Sequence, residues 1–94
     1  MTTIEDYLSS PGEILAEEFL EPLGISQYRL AKAIGKPQSA ISDIVNGKRS
    51  ITPEMAILLG RALGTSAEFW LNLETTYRIK LLEAQGLPDV EVLV

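Results

Sequence analysis

The stretch Gln27–Asn46, QYRLAKAIGKPQSAISDIVN, decides the fold. At its centre, Gly35-Lys36-Pro37 interrupts a helical pattern. Glycine suits the left-handed position that ends one helix, and proline is pre-set to open the next. Two short helices joined by so tight a turn must cross steeply, which is helix-turn-helix geometry. The second helix carries the sharper pattern. At about 100° per residue, Gln38, Ser39, Ser42, Asp43 and Asn46 fall within roughly 140° of arc, and Ala40, Ile41, Ile44 and Val45 fill the opposite face. The apolar face requires burial. The other face is short, polar and able both to donate and to accept hydrogen bonds.

Glutamine, asparagine and serine match the donors and acceptors at base edges, and a short helix presenting them fits a major groove about 12 Å wide. The long Glu/Lys pairs that usually cover a merely solvated helix are missing from this face. Asp43 is the awkward member because it repels phosphate. It therefore accepts from a cytosine amino group, acts through water, or faces away from the duplex. The bland alternative is an indifferent polar surface.

Working outward, Ser26 caps the first helix of the pair. Ser26 and Gln27 lie at a helix N-terminus, where free backbone N–H groups favour an anion. Lys48 and Arg49 follow Gly47 just past the second helix and suit phosphate contacts, as does Lys36 in the turn. The net charge of −5 argues at first against nucleic acid, but residues 1–23 carry −6, residues 24–51 carry +4 and residues 52–94 carry −3. A positive island inside an acidic chain still attracts a polyanion, because charges farther than about 8–10 Å are largely screened at physiological salt.

The remaining punctuation predicts three more helices. Ser10-Pro11-Gly12-Glu13 reads as an N-cap, a first-position proline and a capping-box glutamate. The helix it opens turns Ile14, Leu15, Phe19 and Leu20 inward and ends by Gly24. Thr52-Pro53-Glu54 opens a fourth helix to Leu63. Ser66-Ala67-Glu68 opens a longer fifth through Phe69, Trp70, Leu73, Tyr77, Leu81 and Leu82 to about Gln85. Five helices with short connections make an all-α domain. The expected division is an N-terminal arm at 1–10, a helical domain at 11–85 with its DNA-binding unit at about 26–49, and a tail at 86–94.

At 94 residues, of which 46% are hydrophobic and 22% charged, the chain is one globular domain. It has no cysteine and no histidine, which excludes disulfides, zinc fingers and His-based triads. No metal or cofactor is expected. Glu17 and Glu18 are adjacent on a helix and diverge, and there is no phosphate-binding glycine loop, so an enzyme is not expected. No signal segment or membrane span is legible, and the expected location is the cytoplasm. Leu81, Leu82, Leu87, Val90, Val92, Leu93 and Val94 leave apolar surface near the C-terminus. Burial in a homodimer is preferred to a disordered end.

The stretch 27–46 resembles the helix-turn-helix of phage repressor and Cro proteins, the Xre type: Ala31 where the helices touch, Gly35 in the turn, Ile41 and Ile44 in the core. The resemblance implies a five-helix, phage repressor-like DNA-binding domain. It implies that Gln27 touches phosphate and braces Gln38, and that Gln38, Ser39 and Asp43 read bases with Ser42 and Asn46 beside them. A wider resemblance covers roughly residues 11–85. Pro11-Gly12-Glu13-Ile14-Leu15, Ile44-Val45-Asn46-Gly47-Lys48-Arg49-Ser50-Ile51-Thr52-Pro53-Glu54 and Leu63–Leu73 are similar to HigA- or VapI-type addiction-module antitoxins. Such proteins would bind double-stranded operator DNA, repress their own operon as dimers and neutralise a cognate HigB-type, RNA-cleaving toxin. The all-negative arm 1–9 and first helix could meet a basic nuclease, although a solvated face explains them better. The alternatives are a stand-alone Xre-type regulator and a protein-interaction module that has lost DNA binding.

Overall fold

The computed structural model describes residues 9–94, so most of the acidic arm lies outside the described residues. Ser10 accepts a hydrogen bond from the Glu13 amide at 3.2 Å and starts α1, which runs α-helically over Pro11–Ile14. α1 widens to π-helical geometry over Leu15–Leu20 and closes α-helically over Glu21–Leu23. α2 spans Gln27–Ile34, α3 Gln38–Val45, α4 Pro53–Leu63 and α5 Ala67–Gln85. Among the described residues the structure is all-helical, and residues 86–94 carry no regular secondary structure.

The π-helical stretch departs from the regular first helix that periodicity predicts, and Pro22 gives a physical reason. Proline has no N–H for the carbonyl four residues back, and its ring collides with that carbonyl. Widening the preceding turn to an i→i+5 pattern removes the conflict. It also moves residues five apart toward one face, and Leu15 and Leu20, five apart, are both buried.

The core is assembled from every helix. Leu15 and Leu20 of α1, Leu30 and Ala31 of α2, Ala40, Ile41 and Ile44 of α3, Met55, Ala56 and Leu59 of α4 and Trp70 of α5 form one cluster, joined by Ile51 from the α3–α4 loop. Trp70 is fully buried. Its indole N–H donates to Thr65 Oγ1 at 2.7 Å, and its ring lies 5.0 Å from Phe19 and 5.1 Å from Phe69. Phe69 is itself exposed at the edge of the core.

One charged group is buried beside these apolar ones. Glu74 of α5 accepts from the Ile51 amide at 2.8 Å through one carboxylate oxygen and from Arg78 Nε at 2.6 Å through the other. An α5 side chain thereby satisfies a backbone donor in the loop that follows α3. Glu74→Ala is expected to cost about 1–3 kcal/mol, because it orphans a buried N–H. Chemical denaturation checks this, and an unchanged midpoint would mean that water replaces the carboxylate.

Candidate nucleic-acid interface

The turn between α2 and α3 follows from its residues. Gly35 adopts the left-handed conformation at φ 69°, and its N–H and that of Lys36 close the last turn of α2 on the Lys32 and Ala31 carbonyls. Pro37 holds an extended conformation and starts α3, and no side chain caps that helix. At the far end, Asn46 is the cap rather than part of the helix, one residue short of expectation. Gly47 is left-handed at φ 74°, and the Lys48 amide donates to the Asp43 carbonyl at 2.8 Å. That bond fixes where the chain carrying Lys48 and Arg49 leaves α3.

α3 divides as its periodicity predicts. Ala40, Ile41 and Ile44 are buried and Val45 is half-buried. Gln38, Ser39 and Asn46 are exposed, and Ser42 and Asp43 are half-buried. Apart from a 3.3 Å bond from Asn46 Nδ2 to Ser42 Oγ, the amide and hydroxyl groups of this face have no protein partner among the described residues. The face is therefore open to an external donor–acceptor array.

The flanking residues divide by their partners. Ser26 Oγ accepts from the Arg29 amide at 3.0 Å, which leaves its O–H to donate. Gln27 is half-buried beside it and forms no hydrogen bond with Gln38. Arg49 Nη2 lies 3.3 Å from Asp43 Oδ2, so the negative charge on the polar face of α3 is met by the guanidinium just beyond it. Lys36 Nζ lies 2.6 Å from Glu54 Oε1 in the first turn of α4. The Lys36 ammonium holds the Glu54 carboxyl below the usual carboxylate range. The pair is therefore intact at neutral pH and is lost as pH falls through that lowered value. Arg29, Lys32 and Lys48 form no ion pair among the described residues. A recess of about 280 Å³ opens between α3 and the start of α4, lined in part by Lys36, Ser39, Arg49, Ser50, Thr52 and Glu54.

Sequence reasoning missed Glu54 and Glu74. Thr52-Pro53-Glu54 marks a helix start, but nothing in the spacing announces that its glutamate reaches back to the turn between α2 and α3. Glu74 carries no local signal at all, because its partner lies 23 residues away.

The chain is similar in sequence and fold to known proteins. The helix-turn-helix family model matches residues 17–70. Virulence-associated protein I of Dichelobacter nodosus is 47% identical over 84 residues, which cover 89% of this chain and 77% of that protein. Antitoxin HigA-1 of Vibrio cholerae is 46% identical over 65 residues, 69% of this chain and 61% of the antitoxin, so the chain spans less than two thirds of that relative. Among solved structures, Pseudomonas aeruginosa antitoxin HigA with the higBA promoter superposes with a TM-score of 0.80 at 42% identity, covering 83% of this chain and 85% of that one.

Proposed function

This chain belongs to the helix-turn-helix family, among the HigA/VapI-type antitoxins, and from that membership we propose that it is the antitoxin of a HigBA-like module. It binds its operator in a sequence-specific way, represses its own operon, and binds and neutralises an RNA-cleaving HigB-type toxin in the cytoplasm. The observation that carries the DNA-binding part is the open polar face of α3, backed by a buried apolar face and flanked by cations. Gln38, Ser39, Ser42, Asp43 and Asn46 read bases. Ser26, Gln27, Lys36, Lys48 and Arg49 hold phosphates, within a DNA-binding unit at 26–49. Solved relatives bound to promoter or operator DNA support this reading.

The working form is a homodimer, with two α3 helices roughly 34–36 Å apart over an inverted repeat. Leu82, Leu87, Val90, Val92 and Leu93 are exposed at the end of the domain and in the tail 86–94, and apolar surface of that kind marks a contact site. No helix among the described residues is long and apolar enough to cross a membrane.

Gln38→Ala is expected to cost about 1–3 kcal/mol on operator DNA and almost nothing on random duplex. Lys48→Ala should weaken both and flatten the slope of log K against log salt by about one unit. Anisotropy titrations at several salt concentrations measure both effects. Equal losses from the two changes on both duplexes would defeat the division between base reading and phosphate holding. Co-purification with the product of the neighbouring gene tests the toxin partner.

A further inference from the structure

We propose that Glu54 sets the affinity of this domain for DNA by competing with backbone phosphate for the Lys36 ammonium. The proposal rests on the operator-binding reading above and adds a residue that reading does not use. Lys36 stands in the turn that delivers α3, where a phosphate-holding cation is expected, yet its ammonium already sits 2.6 Å from Glu54 Oε1. The Glu54 side chain is 71% exposed and that of Lys36 34% exposed, so neither is committed to the core and the pair can open without unfolding anything. Both line the recess beside α3 together with Ser39 and Arg49, so a phosphate approaching Lys36 there also meets the carboxylate.

The consequence concerns ions. When a lysine neutralises a phosphate, a condensed cation leaves the DNA, and this release makes binding salt-dependent. If that lysine must first leave a carboxylate, the ion pair it breaks is one that salt also weakens, and this offsets part of the salt dependence. Lys36 therefore adds less to the salt dependence while Glu54 is present and adds a full contact when it is absent. Glu54 is also the clean position at which to see this, because Asp43, the other carboxylate paired with a cation of the island, lies on the reading face itself.

The experiment compares wild type, Glu54→Gln, Lys36→Gln and the double variant. Each is titrated by anisotropy onto a duplex from its own promoter and onto a random duplex of equal length, over a range of salt. Thermal unfolding confirms that each protein is folded under the titration conditions. Glu54→Gln is expected to bind both duplexes roughly two- to fivefold more tightly, the range that an exposed ion pair allows. Its salt slope should steepen by a fraction of the roughly 0.9 that one full phosphate contact contributes. Lys36→Gln should flatten the slope less in the wild-type background than in the Glu54→Gln background, where it should abolish the whole gain. An unchanged slope in Glu54→Gln, with or without a lower melting temperature, would reduce the pair to a tie between the turn and α4 and overturn the proposal. A steeper slope that survives Lys36→Gln would overturn it too, because the carboxylate would then act on the duplex without Lys36. Wild type that fails to bind its promoter at low salt would instead be a failure of the operator-binding reading, which distinguishes the two.

Discussion

Gly12→Ala is expected to destabilise the domain by about 3 kcal/mol or more and to weaken operator binding along with it. Gly12 lies in the first turn of α1 with ordinary helical geometry, so its requirement is space rather than conformation. A methyl group there would sit 1.9 Å from the Ile44 carbonyl oxygen, 2.8 Å from its carbon and 2.9 Å from Val45 Cα. Those neighbours are α3 backbone, which cannot rotate aside as a side chain would. The helices must separate, and Leu15 and Ile44, both buried near the contact, lose packing as they do. For a domain of this size, each kcal/mol corresponds to about 4–8 °C, so the melting temperature should fall by roughly 12–24 °C. Thermal unfolding followed by circular dichroism measures it. A fall of only a few degrees would show that α1 can tilt away from α3 at little cost, and the tight seat inferred for α3 would be wrong.

Trp70→Ala should be at least as damaging, at about 3–5 kcal/mol, the usual range for removing a large buried aromatic. Trp70 is fully buried and stands at the meeting point of α1 and α5, with Phe19 and Phe69 packed around it. Trp70→Phe divides the effect. It keeps a ring against Phe19 but removes the donor to Thr65, so about 1 kcal/mol of the loss is assigned to the hydrogen bond and the rest to filling space. Denaturant titration of both variants checks the division. If phenylalanine were as harmful as alanine, the hydrogen bond rather than the ring would hold the N-terminus of α5 in place.

The helix pair was the most legible part of the chain because its signals are local. A glycine and a proline two residues apart punctuate α2 and α3, and the two faces of α3 separate within eight residues. The caps at Ser10, Ser26, Thr52 and Ser66 are equally local, and each accepts a hydrogen bond from the amide three residues on. α1 was less legible. At about 100° per residue, Leu15 and Leu20 point well apart, and only the wider turn brings both inward. Reading Pro22 as a mid-helix conflict was the available clue.

The site was half legible. Which residues face outward on α3 follows from periodicity, and exposure bears that out for Gln38, Ser39 and Asn46. Which cations are already engaged does not follow, because Lys36 and Glu54 are 18 positions apart in the chain and meet only once α4 is packed. Asp43 looked like an obstacle in isolation. Beside Arg49 it becomes half of a neutral pair, a relation the sequence holds only as two charges six residues apart.

The buried carboxylate of α5 has one more implication. Its two oxygens are used in opposite directions, one on the backbone that trails α3 and one on Arg78 farther along α5. The tether makes the slack of the segment bearing Lys48 and Arg49 a property of a helix outside the helix-turn-helix, and that helix continues to Gln85 with much of its outer half bare. The bare half of α5 is therefore one end of a short mechanical line whose other end is the loop that leaves α3.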